Sequence, residues 1–244
     1  RDYLERALQI KESHYGPEHL EVAITLGSLG NAYAALGNAT KHRDYLERAL
    51  RIKESHYGPE HPEVARTLGN LGNAYGAHGD ASKQRDYMER ALRIKVSHYG
   101  PEHPEVAITL NNLAVASETL GDLPLALVQV QRTLRILEAS SLGAEHPHVL
   151  FLKRRLAQLE REMQKQEMLR AARLELEETL ATEERSLGLR HPDVARTLTK
   201  LAELHGSVGD VAKTRELLEK ALDIQQECLE SPCQEIASTL AELG

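Results

Sequence analysis

The chain has 244 residues, a net charge of −7 and a pI near 6.0, which excludes general nucleic-acid binding because that needs a basic face to displace counterions. It contains no run of 18 apolar residues able to span a bilayer, no apolar leader at its start, and only two cysteines, Cys228 and Cys233, too few for a disulfide framework. With 41% hydrophobic but only 4% aromatic residues it is thin for one large core, yet adequate for stacked repeats that bury apolar faces only against their neighbours.

Self-comparison decides the architecture. The segment starting at Arg1 reads RDYLERALQIKESHYGPEHLEVAITLGSLGNAYAALGNATKH, and the one starting at Arg43 repeats it almost letter for letter. A third copy starts at Arg85, a diverged fourth near Leu127, a fifth near Arg173 and a partial sixth at Arg215. The units are therefore 1–42, 43–84, 85–126, 127–172, 173–214 and 215–244 (partial), read as a single array. Each unit predicts two helices, twelve in all. In the second copy, Tyr45, Leu46, Ala49, Leu50 and Ile52 form one apolar stripe with helical spacing, and Arg43, Asp44, Glu47, Arg48 and Arg51 form a solvated charged face. Gly58-Pro59 stops this helix, Pro62 and Glu63 suit the first turn of the next, and Val64, Leu68, Leu71, Ala74 and Tyr75 are its apolar positions. Gly79-Asp80 turns the chain into the following copy. The fourth copy departs: LAQLEREMQKQEMLRAAR, from Leu156 to Arg173, has no Gly or Pro. Either a polar turn stands there or the helix runs on, and we expect a bend or defect at this point. Neither end carries a polar capping helix, so we expect further repeats of a longer array, or another chain, to cover the ends.

Leu29-Gly30-Asn31-Ala32-Tyr33 and Leu71-Gly72-Asn73-Ala74-Tyr75 carry the signature of the tetratricopeptide repeat: Leu, a small residue, two residues, then Tyr. Leu113-Ala114 with Ser117, and Leu201-Ala202 with His205, are weaker versions, and the usual Trp three residues before the Leu is Leu26, Leu68, Leu110 and Leu198. The 42-residue unit, with its HPEVA core and ERALRI helix, resembles the repeats of kinesin light chain. That resemblance implies an all-α tetratricopeptide solenoid of antiparallel hairpins, in which the signature helix lines a concave peptide-binding face. The positions flanking the signature Leu would then face the groove: Gly27, Ser28 and Asn31; Arg66, Gly69, Asn70 and Asn73; Asn111, Asn112 and Val115; Arg154, Arg155 and Gln158; Arg196, Thr199, Lys200 and Glu203. Asn amides both donate and accept, so they suit the backbone of an extended peptide. Arg154, Arg155, Arg161, Lys165, Arg170 and Arg173 make the fourth copy locally basic, suited to an acidic segment.

Nothing points to catalysis. There is no phosphate-binding Gly-rich loop, nucleophile elbow or His-Glu-x-x-His. His14/His19, His56/His61 and His98/His103 bracket Tyr-Gly-Pro-Glu turns, and they read as caps and loop packing because each turn offers too few convergent ligands for zinc. Cys228 and Cys233 lack metal spacing and read as ordinary thiols. We therefore expect no enzyme, no cofactor and no metal, but an interaction scaffold or adaptor for partner proteins, with no nucleic acid and no membrane insertion, in the cytoplasm. The alternatives are a sensor array attached to an NTPase or another catalytic domain, and a structural subunit of a large assembly.

Overall fold

The computed structural model describes residues 2–140, 145–228 and 241. Among these it forms ten α-helices and no strands: α1 Asp2–Tyr15, α2 Leu20–Ala35, α3 Ala39–Tyr57, α4 Pro62–Ala77, α5 Ala81–Tyr99, α6 Pro104–Thr119, α7 Leu123–Ala139, α8 Pro147–Leu187, α9 Pro192–Ser207 and α10 Val211–Cys228. The tightest pairings are α2 with α3, α4 with α5, α6 with α7, and α9 with α10. These are antiparallel helical hairpins of the tetratricopeptide type, the all-α solenoid fold that the sequence predicts. The chain divides into two compact units, residues 1–161 and 162–244, with the boundary inside α8.

The local causes repeat with the sequence. His19, His61, His103 and His191 each precede a helix with extended backbone and accept a hydrogen bond through Nδ1 from the amide two residues on; for His61 the acceptor lies 3.2 Å from the Glu63 amide. This satisfies one of the orphan donors of the first turn. The rings of Tyr15, Tyr57 and Tyr99 stack on the capping histidines at 4.7, 4.4 and 4.8 Å between centroids, with His14, His56 and His98 edge-on to the same tyrosines. The paired histidines thus cap and pack, as their spacing suggests. His61→Ala should cost about 1 kcal/mol in a denaturant melt and His61→Asp only a fraction of that; equal losses would show that the ring stack, not the cap, matters. Gly58 and Gly79 hold φ of 85° and 79°, left-handed values that a side chain disfavours, at the two alternating turns.

The small residue of the signature lets the helices close. A Cβ on Gly30 would lie 3.2 Å from Leu46 Cγ and 3.3 Å from the His42 carbonyl, and one on Gly72 would lie 3.0 Å from Met88. Around these contacts lie the cores of unit 1. Leu26 and Leu29 pack with Ile52, Leu68 and Leu71 with Leu46 and Ile94, and Leu110 with Leu134 and Leu152. Successive copies are also bound by a recurrent polar clamp. Arg48, Arg90 and Arg132 each donate to the carbonyl of Pro17, Pro59 and Pro101 at 3.1 Å, and Arg48 and Arg90 additionally pair with Glu12 and Glu54.

The twelve-helix reading is corrected at the fourth copy. Two helices were expected between residues 147 and 187, and the chain forms one of 41 residues, α8. The second alternative for this stretch, a helix that runs on, is the one adopted. The physical reason is composition: Leu156 to Arg173 is built almost wholly of strong helix formers, with no residue that accepts a left-handed turn. The predicted twelfth helix and Cys233 fall on residues 229–244, of which only Ala241 lies among the described residues.

Candidate partner-binding face

The predicted groove residues of unit 1 lie on α2, α4, α6 and the start of α8. They occupy helix positions beside the buried signature leucines, which fix their orientation. Asn31, Arg66 and Asn73 are exposed; Asn70, Asn111 and Asn112 are half-buried. Gly27, Ser28, Asn31, Arg66 and Asn70 line a single open cavity between α2, α3 and α4, and Gly27 leaves open space where a Cβ would stand. Further along, Asn112 Nδ2 donates to Asn73 Oδ1 at 3.2 Å, so these two amides form a continuous polar strip across α4 and α6.

The same cavity exposes a residue that the sequence reading did not select. Lys53, on α3, is buried and lines the cavity floor. Its ammonium donates to Glu63 Oε2 at 3.2 Å, and Arg66 shares that carboxylate at 2.5 Å. Burial pushes the Lys53 amine below its ordinary range, while the ion pair opposes this. Burial also works to raise the Glu63 carboxyl, but Lys53 and Arg66 outweigh it and hold it below its ordinary range. The signal was in the sequence: Lys11, Lys53 and Lys95 recur at one register, each paired with Glu21, Glu63 or Glu105. A lowered carboxyl contributes stability above its unfolded value and loses it as pH falls through the lower folded value. Melts from about pH 6 to pH 2 should therefore show less acid destabilisation for Glu63→Gln than for the wild type; an unchanged slope would mean that Glu63 titrates alike in both states.

The basic end of unit 1 is divided. Arg155 is committed: its guanidinium holds Glu118 at 2.6 and 2.9 Å and Asn111 Oδ1 at 2.8 Å, with the Arg155 side chain 14% exposed. Arg154 and Gln158 stand exposed on α8, and Val115 is exposed on α6. In unit 2, α9 carries exposed Arg196, Lys200 and Glu203 with half-buried Thr199, and Arg196 pairs with Asp193 at 2.8 Å. Among the described residues no group of three or more His, Cys, Asp or Glu is arranged to hold a metal, and no helix is long and apolar enough to cross a membrane. What the arrangement offers is donors and acceptors at fixed helical spacing on an open face.

A family described as Tetratricopeptide repeat matches residues 1–55, 25–97 and 85–139. No curated protein matches the chain. Among solved structures, the chain is similar to the kinesin light chain nearly identical TPR-like repeats of Podosopora anserina. The identity is 24% over 87% of this chain and 99% of that one, with a TM-score of 0.54. A single-substitution variant of the same repeats gives 24% identity over 85% of this chain and 96% of that one, with a TM-score of 0.52.

Proposed function

The chain belongs to the tetratricopeptide repeat family, and from that premise we propose that unit 1 is a scaffold binding an extended segment of a partner protein along α2, α4 and α6. The observation that carries this reading is the polar cavity in which Gly27, Ser28, Asn31, Arg66 and Asn70 converge over Lys53. A helix face built for solvent alone has no need of a cavity floored by a buried cation. The Asn amides can match both N–H and C=O of a peptide backbone whatever its side chains. Asn73 and Asn112 already bond to each other, so a peptide exchanges that bond for its own at little net change. Arg154 supplies a free-standing charge for an acidic residue of the ligand, whereas Arg155 holds α8 to α6. Proteins of this repeat type act as interaction modules, and catalysis is no part of the proposal.

A phage-displayed library of unstructured peptides selected against the full chain provides the test. Asn70→Ala with Asn73→Ala and Asn112→Ala should weaken every selected peptide by about tenfold or more, regardless of sequence, as expected for roughly 1.4 kcal/mol of lost backbone bonding. Arg154→Ala should weaken only acidic peptides and flatten their salt dependence. Peptides that bind the Asn variant as well as the wild type would place the ligand elsewhere.

A further inference from the structure

Unit 2 contains an open cavity of about 580 Å³ between α8, α9 and α10, large enough to admit a small organic group. Its walls include the core leucines Leu198, Leu201 and Leu217, and its rim includes Glu177, His205 and Lys213. Aligning His61-Pro62 with His191-Pro192 and Arg85 with Arg215 shows why it exists. In unit 1 the corresponding place between α3, α4 and α5 holds Tyr75 and Tyr87, stacked at 5.3 Å. The Tyr75 hydroxyl donates to Glu47 Oε1 at 2.6 Å, and the Lys83 ammonium lies 4.8 Å from the ring centroid. One copy earlier the device recurs: Tyr33 stacks on Tyr45 at 5.5 Å, bonds to Glu5, and has Lys41 at 4.6 Å.

In unit 2 the two phenol rings are replaced by the smaller imidazole of His205 and by Leu217, while the acceptor and the cation persist as Glu177 and Lys213. The α6–α7 hairpin shows the other way to lose the rings. There Ser117 and Gln129 take the two positions, both buried and bonded to each other at 3.0 Å, and the lysine position is Leu125. Unit 2 instead keeps the groups that recognise a phenol and leaves an open cavity with an apolar wall and a charged rim beside them.

We propose that this cavity is a receptor slot for a tyrosine side chain delivered by a partner polypeptide. The ring would lie on Leu198, Leu201 and Leu217, its hydroxyl donating to the Glu177 carboxylate, and the Lys213 ammonium would stand over its face. All eight tyrosines of this chain lie between Tyr3 and Tyr99, so unit 2 has none of its own to supply. The rim charges are held by exposed pairs, Glu177 with Arg173 at 3.6 Å and Lys213 with Glu216 at 2.9 Å. Such pairs contribute little and exchange readily for a ligand. His205, bonded to Asp210 at 3.3 Å, walls the opening. The slot is separate from the Asn face of unit 1 and stands or falls independently of it.

N-acetyl-tyrosinamide, titrated into the full chain with its leucine methyls labelled for NMR, should shift Leu198, Leu201 and Leu217 at roughly 10 mM or below, the range expected for so small a ligand. N-acetyl-phenylalaninamide should bind about tenfold more weakly, and Glu177→Leu, which removes the acceptor at an exposed position, should erase that preference without changing the melting temperature. His205→Tyr with Leu217→Tyr should refill the hole from within, raise the melting temperature and abolish the shifts. No shift of these methyls with either probe in the wild type, or equal binding of the two with Glu177→Leu inert, overturns the proposal.

Discussion

Leu68→Ala is expected to destabilise unit 1 by about 3 kcal/mol. Leu68 is fully buried, sits at the family's usual Trp position, and packs with Leu46, Leu50, Val64, Leu71 and Ile94 from three successive helices. In a stacked array each interface is shared by two neighbours only, so the cavity left by Leu68→Ala cannot be relieved by rearranging a large central core. Denaturant melts followed by circular dichroism measure it, with Leu120→Ala, at an exposed turn, as the comparison expected to stay within about 0.5 kcal/mol of the wild type. A loss under about 1 kcal/mol for Leu68→Ala would mean that α4 is not the packed centre of its hairpins.

The second large effect concerns α8. Gln164 is exposed in the middle of a 41-residue helix, so Gln164→Pro removes a backbone hydrogen bond and places its ring against the preceding turn, at a cost of about 3 kcal/mol or more. The comparison is Gln164→Ala, expected to be neutral or slightly stabilising. The substitution separates the two structures that the fourth copy could have had. If residues 156–173 formed the turn that the repeat period expects, a proline there would be tolerated and helical signal would be unchanged. A continuous helix instead loses ellipticity and melts earlier.

These two sites mark how far the sequence could be read. Near-identity of the first copies made the helices from α1 to α6 visible, because the same leucines and the Gly turns recur in one register. Gly30 and Gly72 were legible as close-approach positions because the signature pairs a small residue with a large one a turn later. The fourth copy was not legible to the same degree. Absence of Gly and Pro is compatible with a polar turn as well as with a helix, and the start of the observed helix is anchored by packing of Val149, Leu152 and Leu159 against α6 and α7 and by Arg155 on Glu118. The face was found from the signature, yet the partners of its charges were not. Arg154 and Arg155 are adjacent and identical in type, but one helix position turns Arg155 onto Glu118 and Asn111 and leaves Arg154 in solvent. Lys53 was hidden for the opposite reason: it lies on the partner helix α3, outside the signature helix, and a lysine in sequence gives no sign that it is buried beside the cavity. The hole in unit 2 follows from what is missing at His205 and Leu217, and a missing ring becomes visible only when the space it filled elsewhere is seen.

The central claim, that the face of α2, α4 and α6 holds partner proteins, is tested most directly by affinity capture from source extract with crosslinking mass spectrometry. Wild-type chain would be compared with Asn70→Ala, Asn73→Ala, Asn112→Ala and Arg154→Ala combined. The account predicts a partner whose crosslinks fall on residues of α2, α4 and α6 in the wild type and disappear in the variant while the fold melts normally. Partners that persist in the variant, with crosslinks confined to α3, α5 and α7 or to the chain ends, would contradict it and leave the array as a structural spacer.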